Sequence, residues 1–151
     1  MTWQTVGFTQ QKKTFENLIE QGGLSHAYIF QGPEQIGKKL FAQDLFVKIN
    51  SREKFDSTDP DLFIIAPRFA EDETKIYIED IRDLKTFLSF RPYYGPYQFV
   101  IIDDAHRLTP EASNAFLKLL EEPTGKVVFV LITSQLQELL PTISSRGQHI
   151  S

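Results

Sequence analysis

The 151-residue chain contains no cysteine, and it has only one methionine and one tryptophan. Without cysteine the protein can form neither a disulfide nor a thiolate metal site, so its composition gives no indication of an oxidising compartment. No segment approaches the ~18 apolar residues of a membrane span, and the amino terminus lacks the apolar core of a signal peptide. We therefore expect a cytoplasmic protein that has no membrane partner.

Clustered positive charge is also missing. The formal net charge is −4, with 16 basic and 20 acidic side chains mixed along the chain. Duplex DNA binding is driven by Lys and Arg side chains that neutralise phosphates, so a protein that binds DNA by itself is disfavoured. A hydrophobic fraction of 41% in a chain of one-domain length indicates a globular protein with a single core.

Helical and strand patterns alternate along the sequence, which is typical of an α/β fold around a mostly parallel sheet. Apolar runs predict strands at 27–30, 62–67, 98–102, 126–133 and 147–151. Amphipathic spacing predicts helices at 10–21, 37–49, about 76–90 and 110–122. Thr9 is interpreted as the cap of the first helix, and Thr109 with Pro110 as the start of the last.

The segment QGPEQIGKKL follows the first predicted strand and precedes a helix. Its Gly32, Gly37 and Lys38 fit the phosphate-loop pattern G-x-x-x-x-G-K-[ST], in which backbone N–H groups and the lysine bind phosphates. A plain turn between strand and helix is the simpler alternative, but the strand, loop and helix context disfavours it. We interpret the segment as a candidate nucleotide-binding loop.

Lys39 departs from this pattern. The position normally carries a Ser or Thr whose hydroxyl is a ligand of Mg²⁺, whereas an ammonium has no lone pair and adds positive charge near the metal. Hydrolysis should therefore suffer more than nucleotide binding. We assign no certain cofactor, and ATP with Mg²⁺ is kept only as an alternative for a degenerate site.

Two carboxylates, Asp103 and Asp104, follow the apolar run QFVII, at the strand end where open α/β sheets bind ligands. Asp103 is the candidate that positions Mg²⁺ through water, and Asp104 occupies the place of the carboxylate that orients attacking water. Asp104 is one methylene shorter than a glutamate, which makes the pair degenerate. Two solvated aspartates at a strand end are the alternative.

Arg146 lies in the segment LLPTISSRG, on a predicted loop just before the last strand. A planar guanidinium can supply charge to a phosphate held by a neighbouring protomer, as arginine fingers do. By residue type alone, an ordinary surface arginine is the more frequent explanation. We treat Arg146 as a candidate catalytic residue that acts in trans.

The remaining polar and aromatic motifs indicate no metal site. The histidines His26, His106 and His149 are isolated, which favours packing or capping roles over ligation. The segment RPYYGPY fits a turn better than an aromatic platform for nucleic acid, and the charged face EDIRDLK fits a solvated helix surface.

Three segments resemble a known family: SHAYIFQGPEQIGKKLFA, the run from Ile76 to Thr133, and LLPTISSRG. They are similar to the N-terminal AAA+ module of bacterial DNA polymerase III clamp-loader subunits, and most similar to the delta-prime members. The resemblance implies a P-loop NTPase fold with three layers, in which helices cover both faces of a mostly parallel five-stranded sheet. It implies one AAA+ module over residues 1–151, truncated before the family's lid and collar domains.

The same resemblance assigns roles to single residues. Residues 32–39 correspond to Walker A, and Asp103 with Asp104 corresponds to Walker B. Ser134 stands near the sensor 1 position, which places it among the candidate nucleotide-binding residues with Gly32, Gly37, Lys38, Lys39 and Asp103.

The motif Ser145-Arg146-Gly147 corresponds to the Ser-Arg-Cys motif of the family, so Arg146 is the candidate trans arginine finger. Gly147 replaces the cysteine of that motif. Family members commonly carry four zinc-binding cysteines after the Walker A helix. The segment NSREKFDSTDPD has none, so zinc is not expected.

These likenesses imply a stator-like subunit of a DNA polymerase III holoenzyme, with little or no ATPase activity of its own. The expected partners are the tau/gamma and delta subunits, the sliding clamp, and primer-template DNA through the assembly. The alternative is an active clamp-loader ATPase of the tau/gamma type. A nucleotide kinase ranks far lower, because the sequence shows no cluster of arginines for an acceptor phosphate.

Overall fold

A computed structural model describes residues 3–34, 37–123 and 125–151 of the chain. The helices α1 to α5 are Thr9–Gln21, Lys38–Ile49, Ile78–Leu88, Pro110–Glu121 and Pro141–Ser144. The strands β1 to β7 are Ala27–Gln31, Leu62–Ile65, Arg68–Ala70, Glu73–Lys75, Gln98–Ile102, Val127–Thr133 and Gln148–Ile150. No helix in these three ranges is long and apolar enough to cross a membrane.

Five strands form one sheet in the order β2-β5-β6-β1-β7, and every neighbouring pair is parallel. In this register Ile29 of β1 lies beside Leu131 of β6 on one side and His149 of β7 on the other. The predicted parallel sheet is therefore confirmed. Parallel alignment also brings the carboxyl ends of all five strands to one end of the sheet and their amino ends to the other. These are called the carboxyl end and the amino end of the sheet.

Helices cover both faces of this sheet, as predicted. Alternate residues of β5 point to opposite faces: Val100 and Ile102 belong to one buried cluster, and Phe99 and Ile101 to the other. The first cluster packs against α3, α4 and α5, and the second packs against α1 and α2. Because the central strands are buried on both faces, they appear in the sequence as continuous apolar runs.

A short antiparallel hairpin, β3 with β4, was not predicted. Its strands are three residues each and mostly exposed, so they lack the apolar alternation by which a strand is recognised. The turn is made by Glu71 and Asp72, whose φ angles are 51° and 63°. Acidic residues with positive φ are less conspicuous in a sequence than the Asn-Gly pair that marks many such turns.

The two predicted helix caps have different outcomes. Thr109 caps α4 as predicted, since its side chain accepts a hydrogen bond from the Ala112 N–H at 3.1 Å. The prediction for Thr9 is wrong, because Thr9 is the first residue of α1 and Phe8 is its cap, with φ 54° and no capping side chain. The Phe8 ring stacks on Phe41 with centroids 5.0 Å apart, so ring packing sets the entry into this helix.

The segment RPYYGPY forms a turn whose backbone is held by the buried carboxylate of Asp61. This carboxylate accepts hydrogen bonds from the N–H groups of Tyr93, Tyr94 and Gly95 and from the Arg52 guanidinium. The rings of Tyr93 and Tyr94 are exposed. A buried carboxylate with several donors stabilises a loop strongly, because each N–H would otherwise lose its hydrogen bond on leaving water.

The core packing makes a first prediction. Phe116 of α4 is fully buried and packs edge-on against Phe129. Phe116→Ala should lower the free energy of unfolding by about 3–5 kcal/mol, because it removes apolar contacts and leaves a cavity. Phe69, which is 70% exposed on the hairpin, provides the matched control. Urea unfolding should show a much smaller effect for Phe69→Ala, and equal losses would contradict the assigned core.

The Arg52 cluster makes a second prediction, about pH. A side-chain hydrogen bond from Arg52 holds the pKa of Asp59 below its usual value. A depressed folded pKa stabilises the protein above the unfolded pKa of ~3.9, and this contribution is lost as the pH falls through the folded pKa. Wild type should therefore exceed Asp59→Asn in stability at neutral pH, and the difference should shrink below about pH 4. Exposed Asp83→Asn is the control, and a pH-independent difference would refute the linkage.

Candidate functional site

Most of the predicted phosphate-site residues meet at the carboxyl end of the sheet. The end of β1 leads to Gly32, the end of β5 leads to Asp103 and Asp104, and the end of β6 leads to Ser134. An open cavity of about 560 Å³ lies here. Its lining residues are Glu34, Gly37, Lys38, Lys39, Leu40, Gln43, Asp103, Asp104 and Ile132. Positions 35 and 36 of the predicted Walker A segment lie outside the described residues.

The side chain of Lys38 is turned back into the protein. It is 7% exposed, and its ammonium donates hydrogen bonds to the carbonyl oxygens of Gly32 and, at 3.2 Å, Thr133. The Gly32 N–H also donates to Thr133 O, at 3.3 Å. Burial lowers the pKa of Lys38, while the charges of Asp104, Glu34 and Asp103 oppose this shift. These two carbonyls occupy two of the three N–H donors of the Lys38 ammonium.

The ammonium of Lys39 lies 3.5 Å from a carboxylate oxygen of Asp103, with side chains 55% and 22% exposed. Magnesium needs oxygen ligands at ~2.0–2.1 Å in near-octahedral arrangement, and an ammonium is not a ligand. The residues present therefore do not fit the Mg²⁺ ion that such loops hold. In the described part of the chain, no group of three His, Cys, Asp or Glu side chains could hold a metal.

Asp104 lies two residues beyond the end of β5 in a left-handed backbone conformation, with φ 48° and ψ 53°, and a 3-10 turn over Ala105–Arg107 follows it. Aspartate is among the residues that adopt this conformation at modest cost. The conformation redirects the chain directly after the strand, so that Asp103 and Asp104 both line the cavity. The structure thus brings together the two carboxylates that the sequence assigned to this site.

Sequence reasoning missed the part played by Thr133. Its carbonyl binds Lys38, and its hydroxyl lies 2.8 Å from His106 Nδ1 and accepts the Gln135 N–H at 3.0 Å. The buried polar residue that closes the run KVVFVLIT was the available signal. Ser134, the sensor 1 candidate, is next along the chain but is not among the residues that line the cavity.

Arg146 lies at the amino end of the sheet, opposite to the end that holds this cavity. It precedes β7, and Gln148 of β7 pairs with Tyr28 near the start of β1, whereas Gly32 follows the end of β1. The five residues of β1 span roughly 17 Å. The Arg146 guanidinium is 3.8 Å from a Glu121 carboxylate oxygen, and its side chain is 42% exposed. Arg146 is therefore far from the phosphate loop of its own chain.

Gly147 lets the chain pass close to β1. A Cβ atom at this position would lie 3.0 Å from Ile29 Cγ1 and 3.1 Å from Ile29 Cδ1. These distances are tighter than ordinary van der Waals contact, so a larger residue requires Ile29 to shift. The departure from the Ser-Arg-Cys motif is thus accommodated by local packing and leaves the arginine at the surface.

The sheet order, the phosphate-loop position and the two strand-end carboxylates define a P-loop protein of the AAA+ class. Solved structures agree: the RuvB Holliday junction branch migration motor of Thermotoga maritima has a TM-score of 0.67. That similarity covers 95% of this chain and 44% of the other at 18% identity, so it shows the fold alone. A gamma-subunit-related protein of DNA polymerase III from the same organism has a TM-score of 0.72 at 33% identity, covering 90% of this chain and 44% of that one.

The family described as "DNA polymerase III, delta subunit" matches residues 7–151. The chain is 33% identical to the delta-prime subunit of Pseudomonas aeruginosa over 81% of its length and 41% of the relative's. It is also 33% identical to the Bacillus subtilis delta-prime subunit over 98% of its length and 49% of that protein's. This chain belongs to the DNA polymerase III delta-subunit family of clamp-loader proteins. It spans less than half the length of either delta-prime relative.

The inward position of Lys38 makes a third prediction. Lys38→Met should lower the free energy of unfolding without any nucleotide, by about 1–3 kcal/mol, because two carbonyls lose the hydrogen bond from the buried ammonium. Lys13→Met, on the exposed side of α1, is the matched control. Thermal melts in nucleotide-free buffer measure the difference. A Lys38 variant as stable as the control would show that the lysine does not hold the loop.

Proposed function

We propose that this chain is the AAA+ module of a delta-prime-like clamp-loader subunit in the bacterial cytoplasm. It acts as a stator that hydrolyses no ATP of its own and offers Arg146 to the nucleotide site of a neighbouring ATPase subunit. The observation that carries this proposal is the position of Arg146. An exposed arginine at the amino end of the sheet cannot serve the phosphate loop of its own chain at the carboxyl end.

The location of Arg146 favours action on a neighbour. β7 is an edge strand of the sheet, so the turn before it lies at the border of the module and not between two strands. The backbone of this turn is fixed, because the Arg146 N–H donates to Ile143 O at 3.0 Å and the Ser145 N–H donates to Pro141 O at 2.9 Å. A fixed backbone with an exposed guanidinium suits a residue that must meet a phosphate on another chain.

The ion pair with Glu121 does not prevent this role. Exposed ion pairs contribute ~0.2–1 kcal/mol, and this one joins side chains that are both about two-fifths exposed. A phosphate offers the guanidinium a stronger, bidentate partner. In phosphoryl transfer an arginine finger stabilises charge that develops in the transition state, with effects of ~10³–10⁵ on rate.

The state of the chain's own phosphate loop supports the stator role. Lys38 binds protein carbonyls, and Lys39 stands where a metal-ligating hydroxyl is needed. Relatives of this chain include both delta-prime and tau subunits, such as the tau subunit of Bacillus subtilis at 33% identity over 95% of this chain and 27% of the relative. We propose tau/gamma and delta subunits as its partners, with the sliding clamp and primer-template DNA reached through the assembly.

The fourth prediction concerns Arg146. In a clamp loader assembled from full-length subunits, Arg146→Ala should lower DNA-stimulated ATP hydrolysis and clamp loading, because one ATP site loses its transition-state charge. The loss at that site should be on the order of 10³-fold. Arg82→Ala, which removes an exposed arginine from α3, is the matched control. Phosphate release and clamp loading are both measured.

Unchanged rates for Arg146→Ala in an intact assembly would reject the finger. A separate measurement addresses the alternative function. Brisk ATP hydrolysis by the isolated full-length subunit would contradict the stator and would instead support an active ATPase of the tau/gamma type.

A further inference from the structure

The carboxylate of Asp103 has a positive partner supplied by the protein itself. Asp103 directly follows the interior strand β5, and its side chain is only 22% exposed, so its charge is partly removed from water. A partly buried carboxylate is stabilised by a nearby opposite charge. Across the described ranges, Lys39 is the basic residue that forms an ion pair with Asp103.

Lys39 reaches Asp103 from a different element. It is the second residue of α2, while Asp103 follows β5, and both side chains line the cavity. The ion pair therefore joins the helix that follows the phosphate loop to the strand that carries the acidic residues. In a metal-dependent site of this fold, Mg²⁺ makes the same connection through the loop hydroxyl and the acidic strand.

The neighbouring lysine is satisfied in a similar way. Lys38 donates to carbonyls of the loop and of β6, so both loop ammonium groups have partners within the protein. The cavity lining contains two lysines and three carboxylates, those of Glu34, Asp103 and Asp104, so the lining carries one net negative charge. A nucleotide triphosphate without a metal would meet this excess of carboxylate.

We infer that the Lys39 ammonium is a built-in counter-ion that takes the place of the divalent cation beside Asp103 and links α2 to the end of β5 without Mg²⁺ or nucleotide. This inference deepens the proposed function, because it explains why the stator's own site stays inactive. It assigns Lys39 as the residue that decides metal dependence. A hydroxyl at position 39 would remove the competing charge and supply the missing oxygen ligand.

The test uses the full-length subunit and isothermal titration with ATP, once with Mg²⁺ and once with EDTA. Wild type should show no gain in affinity from Mg²⁺. Lys39→Thr should gain Mg²⁺-dependent ATP binding, at least tenfold tighter than wild type. Lys39→Met removes the charge without adding an oxygen, so it should show no comparable gain. Lys13→Thr, on the exposed face of α1, is the matched control.

Two results would overturn the inference: wild type that binds Mg·ATP as tightly as Lys39→Thr, or a correctly folded Lys39→Thr variant with no gain from Mg²⁺. Circular dichroism melts establish folding of each variant, and Lys39→Ser supplies the same hydroxyl ligand if Lys39→Thr is unstable. Mg²⁺-dependent binding by Lys39→Met equal to that of Lys39→Thr would also contradict a role for the hydroxyl. These measurements are made on the subunit alone, so they stand apart from the assembly experiment on Arg146.

Discussion

Parallel hydrogen bonding of β1 between β6 and β7 is the constraint on which the rest of this molecule depends. Together with the parallel β5-β6 and β2-β5 pairs, it places the carboxyl ends of all five strands at one end of the sheet and their amino ends at the other. The phosphate loop and the acidic pair consequently lie together at the carboxyl end of the sheet, and Arg146 lies at the amino end. A single module cannot bring these features together, since the length of a strand separates them.

Within that frame, two adjacent lysines on the first turn of α2 have separate tasks. Lys38 is buried and bonds to carbonyls of two strand ends, whereas Lys39 is half exposed and faces a carboxylate. Successive residues of a helix point about 100° apart, which is why neighbours in sequence reach different partners. The result is a loop whose positive charges are balanced inside the protein. Family membership alone does not fix this arrangement, because it depends on side-chain direction.

The fold was largely predictable because its central strands are buried on both faces and therefore continuous in apolar residues. The cap of α1 and the β3-β4 hairpin were harder to predict from the sequence. Thr9 was a reasonable cap by residue type, but the stacking of Phe8 on Phe41 moved the helix start by one residue. The β3-β4 hairpin has too few apolar residues to give a pattern. The importance of Asp61 was hidden because its donors, the N–H groups of residues 93–95, lie more than thirty positions away.

By itself the sequence determined the order of the four long helices and the five parallel strands, the phosphate-loop pattern with its missing hydroxyl, and the residues that resemble clamp-loader motifs. These features are local, since each depends on residue type and spacing along a few turns or strands. Only the tertiary structure decided that Lys38 donates to Gly32 and Thr133 and that Lys39 pairs with Asp103. It also decided that Arg146 and the phosphate loop lie at opposite ends of the sheet. Such facts depend on which distant segments the sheet brings into contact. The spacing of residues along the chain does not specify the distances between these segments or the directions of their side chains.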